Sequence, residues 1–153
     1  MKNRDMPQVV KSFDLNRYLG KWYEIARFDV PFERGLTSVW ADYSLRSDGN
    51  VNVLNTGVDK KGVRKAIVGK AKVPDKNNPA HLKVSFFWIF YSDYLVLDID
   101  QENYSYSLVG SKKDKYLWIL SRTPYLEKET IDMIIKKAQN MGYDTSKLMF
   151  TKP

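Results

Sequence analysis

The chain contains no cysteine. No disulfide, zinc–thiolate site or cysteine nucleophile can form within it, and that absence leaves the redox compartment open. There is a single histidine, His81, beside Pro79 and Ala80. Metal centres and catalytic triads need clustered partners, so His81 reads as an ordinary surface residue. A glycine-rich phosphate loop, a Gly-x-Ser-x-Gly elbow and a His-Glu-x-x-His helix are all missing. Carboxylates are scattered over turns and one helix, and only Asp98 and Asp100 share a strand face. No stretch approaches the ~20 apolar residues of a membrane-spanning helix; the longest, Phe86-Phe87-Trp88-Ile89-Phe90-Tyr91, is strand-sized. Residues 1–7 include Lys2 and Arg4 but no apolar core follows them, so they do not form a signal peptide. These absences argue against an enzyme. No catalytic residue, metal ligand or cofactor is assigned.

What is present suits one soluble domain. A length of 153 residues supports a single sizeable core and is short for two. Basic residues outnumber acidic ones by 25 to 18, a balance of +7 that admits nucleic acid, anionic membranes or acidic small molecules as partners. The lysines are dispersed over turns (Lys60-Lys61, Lys112-Lys113) and a C-terminal helix (Lys136-Lys137), the distribution of a solvated surface. Aromatic content is high at 14%. Such side chains bury large areas and favour strands, which predicts a β-rich core or an apolar site.

Along the chain, residues 1–12 read as a flexible N-terminal arm, with Val9 and Val10 the first to become ordered, and 13–153 as one domain. Residues 13–19 form a helical turn capped by Asp14. Gly20 then opens the first of eight alternating runs, at about 21–29, 37–46, 51–58, 63–73, 81–89, 93–100, 104–110 and 115–122. Short turns such as Ser47-Asp48-Gly49-Asn50 separate them. Eight evenly spaced antiparallel strands give a mostly β fold, an up-and-down barrel or a sandwich. After Pro124 the period changes: Ile131, Ile134, Ile135 and Ala138 form the stripe of a helix buried on one side, and Gly142 stops it. A short final strand at about 147–151 can pair with a free sheet edge.

If the sheet closes, Trp22 can plug one end, with Arg122 packed across its indole. Alternation then turns Ala41, Tyr43, Asn55, Gly69, Ala71 and Val84 inward, together with Phe86, Trp88, Tyr94, Val96, Tyr106 and Trp118. An eight-stranded barrel has room for side chains or for one small ligand, and alternation alone does not separate a filled barrel from a hollow one.

The string Gly20-Lys21-Trp22-Tyr23-Glu24-Ile25-Ala26-Arg27 resembles the first signature of the lipocalins. Asp100 with Tyr104 or Tyr106 is similar to their second, lacking its usual threonine, and Leu117-Trp118-Ile119-Leu120-Ser121-Arg122-Thr123-Pro124 to their third. Arg27-Phe28-Asp29, Phe32-Glu33-Arg34-Gly35-Leu36, Tyr43-Ser44-Leu45 and residues 82–87 resemble the bacterial outer-membrane branch, whose nearest animal relatives are the apolipoprotein D type. The resemblance implies an eight-stranded calyx with a helix packed outside. It implies non-enzymatic binding of a small hydrophobic ligand, such as a fatty acid or lysophospholipid. Gly20, Trp22 and Arg122 would close the barrel's base, and Tyr43 and Trp118 would stand in the pocket wall. Lysines near the mouth are expected to attract an anionic head group, weakening with salt. Bacterial members are commonly anchored through an N-terminal cysteine, which this chain does not contain. A periplasmic or outer-membrane-associated location with peripheral membrane contact is expected, and a cytoplasmic one stays open. Phe32 and Phe90 would support a homodimer. The alternative is a β-barrel module binding single-stranded nucleic acid, which would need exposed aromatics interleaved with lysines on one sheet face. Isomerases of this fold use a thiol, and there is none here.

Overall fold

Each strand pairs antiparallel with the next, and the last returns to the first. The computed structural model describes residues 7–30, 33–86, 90–112 and 115–151, without the side chains of Phe86 and Phe90. In chain order the strands are β1 (Gly20–Arg27), β2 (Thr37–Leu45), β3 (Val51–Val58), β4 (Arg64–Lys72), β5 (His81–Phe86), β6 (Phe90–Ile99), β7 (Tyr106–Gly110) and β8 (Leu117–Ser121). Closure comes from β1, whose first half pairs with β2 (Trp22 opposite Ala41) and whose second half pairs with β8 (Arg27 opposite Trp118). The pairing is continuous around the ring, so the eight strands form a barrel rather than a sandwich. Turn chemistry sets the strand spacing: Asp48, Asp59 and Asp75 each accept the backbone N–H two residues on, at 2.9 Å in all three.

Where β1 leaves β2, its edge is taken by a ninth strand, β9 (Met149–Phe150), with Ala26 opposite Phe150. The register shifts three times, between Glu24 and Ala26 in β1, between Thr37 and Trp40 in β2 and between Val96 and Asp98 in β6. One extra residue reverses which face later side chains occupy. The sheet therefore supports two cores. The inner one contains Trp22, Val53, Leu82, Val96, Val109 and Leu120. The outer one is covered by helix α2 (Lys128–Asn140), whose Ile134 and Ala138 are fully buried against a cluster that includes Leu97, Leu108 and Ile119.

Part of the segment expected to be a loose arm is packed. Pro7 is buried, Val10 N–H donates to the Val96 carbonyl at 3.0 Å, and Gln101 Nε2 donates to the Ser12 carbonyl at 2.8 Å. The Val10 bond adds a backbone pairing beside the irregular part of β6, which composition could not foretell. The short helix α1 (Leu15–Tyr18), capped by Asp14, follows. Arg17 donates to the carbonyls of Gln101 and Glu102, so α1 lies at the end of the barrel where β6 turns into β7. The connections after β1, β3 and β7 lie at the opposite, open end.

Candidate ligand cavity

The base of the barrel is sealed by one aromatic and one cation. Trp22 is wholly buried and its Nε1 donates to the Tyr18 carbonyl at 2.8 Å. The Arg122 guanidinium stands 3.8 Å from the Trp22 ring centroid. It donates to the carbonyls of Arg17, Lys21 and Tyr104 at 2.7, 2.9 and 3.2 Å. Gly20, at φ +103°, starts β1 in a conformation that L side chains rarely adopt. Of the two tyrosines set beside Asp100, Tyr104 belongs here: its N–H donates to the Asp100 carbonyl at 2.7 Å and its ring lies under Arg17.

Above the plug sits a layer of buried hydroxyls. Tyr94 joins Tyr18 at 2.6 Å and Tyr43 at 2.9 Å, and Tyr18 also meets Ser107 at 3.2 Å. Burial pushes the Tyr18 hydroxyl up to about 12 and those of Tyr43 and Tyr94 well above their usual value. All three stay neutral donors and acceptors across the physiological range. A cavity of about 10 Å³, the room of roughly one water, opens among these tyrosines and the apolar side chains of Val51, Ala71, Leu82 and Val84.

Toward the open end the interior becomes charged. Arg27 and Glu24 form an ion pair at 3.0 Å with side chains only 4% and 6% exposed. Arg27 Nη2 donates to the Glu33 carbonyl at 2.9 Å, tying the segment after β1 to the barrel. The Glu33 carboxylate enters the interior, where its Oε2 accepts from Trp118 Nε1 at 3.1 Å. Burial, followed by the neighbouring Glu33 charge and a hydrogen bond to it, holds the Glu24 carboxyl well above the usual glutamate value of 4.5, against the opposing pull of Arg27. Native Glu24 therefore retains a proton that the unfolded chain releases. Stability attributable to this group is full below 4.5 and is lost as pH rises toward the raised native value. For a single proton the slope is at most about 1.4 kcal/mol per pH unit. Glu24→Gln should flatten that slope, as read from urea midpoints between mildly acid and mildly alkaline pH; an unchanged slope would place the titration elsewhere.

The expected lining residues divide by face. Tyr43, Val84, Tyr94, Val96 and Trp118 pack in or against the inner core, along with Ala71. Ala41 and Asn55 occupy inner-face positions through their pairing with each other and with Trp22, and Gly69 through its pairing with Val53. The backbone of Phe86 lies opposite Gly69, while its side chain and Trp88 lie outside the described residues. Tyr106 is a correction: it packs on the outer, helix-side core, because it pairs with outward-facing Ser121 while Ser107 takes the inner face. Asp98 and Asp100 do not share a strand face either. The shift in β6 turns Asp98 outward onto Lys137 at 2.9 Å, and Asp100 lies beyond the strand end. His81 is not a free surface group, since its Nε2 lies 2.9 Å from Asp93. Of the aromatics expected to support a dimer, Phe32 and the Phe90 side chain lie outside the described residues.

Glu24, Arg27 and Glu33 were missed as interior residues. Glu24 was legible, since it stands two residues from Trp22 on the same strand face. Arg27 was not, because the shift after Glu24 reverses the alternation. Among the described residues no group of His, Cys, Asp and Glu is placed to hold a metal.

A closed eight-stranded barrel with a sealed base, an aromatic interior and an outer helix defines a calyx, a cup built to enclose one small molecule. Comparison with known proteins gives the family. The lipocalin-like domain matches residues 13–153. The chain is 46% identical over 151 residues to the outer membrane lipoprotein Blc of Vibrio cholerae, covering 96% of this chain and 88% of the relative. It is 38% identical over 151 residues to apolipoprotein D of Bos taurus, covering 95% and 79%. Insecticyanin of the tobacco hornworm Manduca sexta superposes with a TM-score of 0.77 at 25% identity, covering 97% and 85%. The chain belongs to the lipocalin family, a family of small-hydrophobic-ligand binding proteins.

Proposed function

We propose that the chain holds one long-chain lipid, a fatty acid or a lysophospholipid, inside the barrel and stores or carries it at the bacterial cell envelope. The observation that carries this reading is the inner face itself: Tyr43, Val84, Tyr94, Val96 and Trp118 stand above a base that Trp22 and Arg122 close. An apolar wall with a few fixed hydroxyls is what ligand sites of this kind use. Ala41, Asn55, Gly69, Phe86 and Trp88 complete the proposed contact set. Acyl burial supplies about 0.8 kcal/mol per CH₂, so ten methylenes give about 8 kcal/mol before ordering and desolvation costs. The envelope assignment draws on the relatives of Vibrio cholerae and Escherichia coli, which are named outer membrane lipoproteins. It includes peripheral contact with a membrane, and a homodimer remains compatible with it. No catalytic step is needed.

Titration with a fluorescent fatty acid should give saturable quenching of tryptophan emission. A barrel that stays folded by circular dichroism yet shows no saturable binding would end the reading. Native mass spectrometry would show a co-purified lipid and the subunit count together.

A further inference from the structure

The charged cluster near the open end has no counterpart in a purely apolar cup. Glu24 and Arg27 occupy β1 inside the barrel, Glu33 reaches in from the segment that follows, and Trp118 anchors it from β8. Relative exposures of 9%, 3% and 2% for Glu24, Arg27 and Glu33 leave them almost without water. The arginine's terminal nitrogens are committed, Nη1 to Glu24 and Nη2 to the Glu33 and Leu36 carbonyls. Among the described residues its Nε–H has no acceptor, and Glu33 Oε1 receives no donor from a nitrogen or hydroxyl. A buried orphan donor of this kind costs about 1–3 kcal/mol and is met in most proteins by a partner.

The cluster thus offers a hydrogen bond without offering charge. One cation faces two carboxyls, so no positive charge is left over, whatever proton the carboxyls share. We propose that this cluster is the subsite for the polar end of the bound lipid, and that it takes an uncharged oxygen, a hydroxyl or an ester or amide carbonyl, in preference to a carboxylate. The oxygen accepts from Arg27 Nε. A carboxylate in the same place would add an uncompensated negative charge beside Glu33 in a dry interior, which is strongly unfavourable. Rim lysines such as Lys60 and Lys61 can draw an anion to the mouth, but they do not neutralise it at this depth. Among the described residues the ionisable and charged groups facing the subsite are Glu24 and Arg27 from β1, Glu33 from the following segment and Tyr43 from β2; β8 contributes the neutral Trp118, and the segment after β9 contributes Thr151, whose hydroxyl lies 3.5 Å from Arg27 Nη1. Burial keeps Tyr43 protonated, so it adds no charge around neutral pH.

The inference rests on the acyl-binding reading above, and its test separates the two. A monoacylglycerol and a fatty acid of equal chain length are competed against a neutral fluorescent lipid at mildly alkaline pH. The monoacylglycerol should bind at least about tenfold more tightly, a difference of about 1.4 kcal/mol, and the gap should close as acidification protonates the fatty acid. The Glu24→Gln/Glu33→Gln double variant leaves Arg27 as an unbalanced cation and should reverse the order. Equal or tighter fatty-acid binding by the wild type at alkaline pH would overturn the subsite, whether or not the double variant folds. So would a folded double variant that keeps the wild-type order. If neither lipid displaces the probe and the probe itself does not saturate, the acyl-binding reading fails and takes the subsite with it.

Discussion

Trp22→Ala should lower the melting temperature by on the order of 10 °C while leaving lipid affinity of the folded protein nearly unchanged. Truncating a buried tryptophan typically costs about 3–5 kcal/mol, and each kcal/mol shifts the midpoint of a domain of this size by about 2–4 °C. Three losses combine here. The indole is completely buried, its Nε1 bond satisfies the Tyr18 carbonyl, and its face supports the Arg122 guanidinium. Removing the ring leaves Arg122 over a void, still held by three backbone carbonyls that join α1, β1 and the β6–β7 turn. The base should therefore loosen as a unit. Thermal melts and lipid titration on the same preparation check this. An unchanged melting temperature with lost binding would mean that Trp22 belongs to the ligand site and not to the plug.

Arg27→Met should cost about 3–5 kcal/mol, the range for breaking a buried ion pair by removing one partner. The figure is large because of what stays behind. Glu24 and Glu33 remain side by side inside the barrel with no cation, and the Glu33 and Leu36 carbonyls lose their donor. By contrast, the exposed helix pair Lys128–Asp132 carries 2.7 Å geometry but solvent screening, and pairs of that kind contribute only about 0.3–0.5 kcal/mol. Acidification should recover much of the Arg27→Met loss, since the negative charge left without a cation is then neutralised. Urea unfolding at neutral and acid pH checks the sign. A loss of equal size at both would show that the arginine acts by filling space and not by balancing charge.

The base and the charged cluster differ in how far they could be read from the chain. Trp22 and Arg122 stand at the two ends of an eight-strand pattern, and the Gly20-x-Trp22 string and the Arg122 string each fit a known signature. Period-2 alternation placed most of the wall correctly as a face, because β2, β3 and β4 pair without a shift across the lining positions. It failed where the ladder is irregular. The shift within β1 turned Arg27 inward, and the one within β6 turned Asp98 outward onto Lys137. Tyr106 failed for a related reason: a short strand gives alternation two equally consistent faces, and its pairing with Ser121 chose the outer one. Glu33 was invisible to any periodicity, since it lies in no strand and reaches the interior only because Arg27 and Trp118 hold it there.

Sequence alone determined the strand number, the turns, the outer helix and the identity of the plug, because each depends on local patterns: alternation, Asp-led turns, a 3.6-residue stripe and a paired signature. Only the tertiary structure decided which residues meet at the open end. That outcome depends on register shifts and on contacts between segments far apart in the chain, such as Glu33 with Trp118. A shift of one residue costs little locally, yet it exchanges the inside of a barrel for the outside, and so converts an apolar cup into one with a charge-balanced polar site near its mouth.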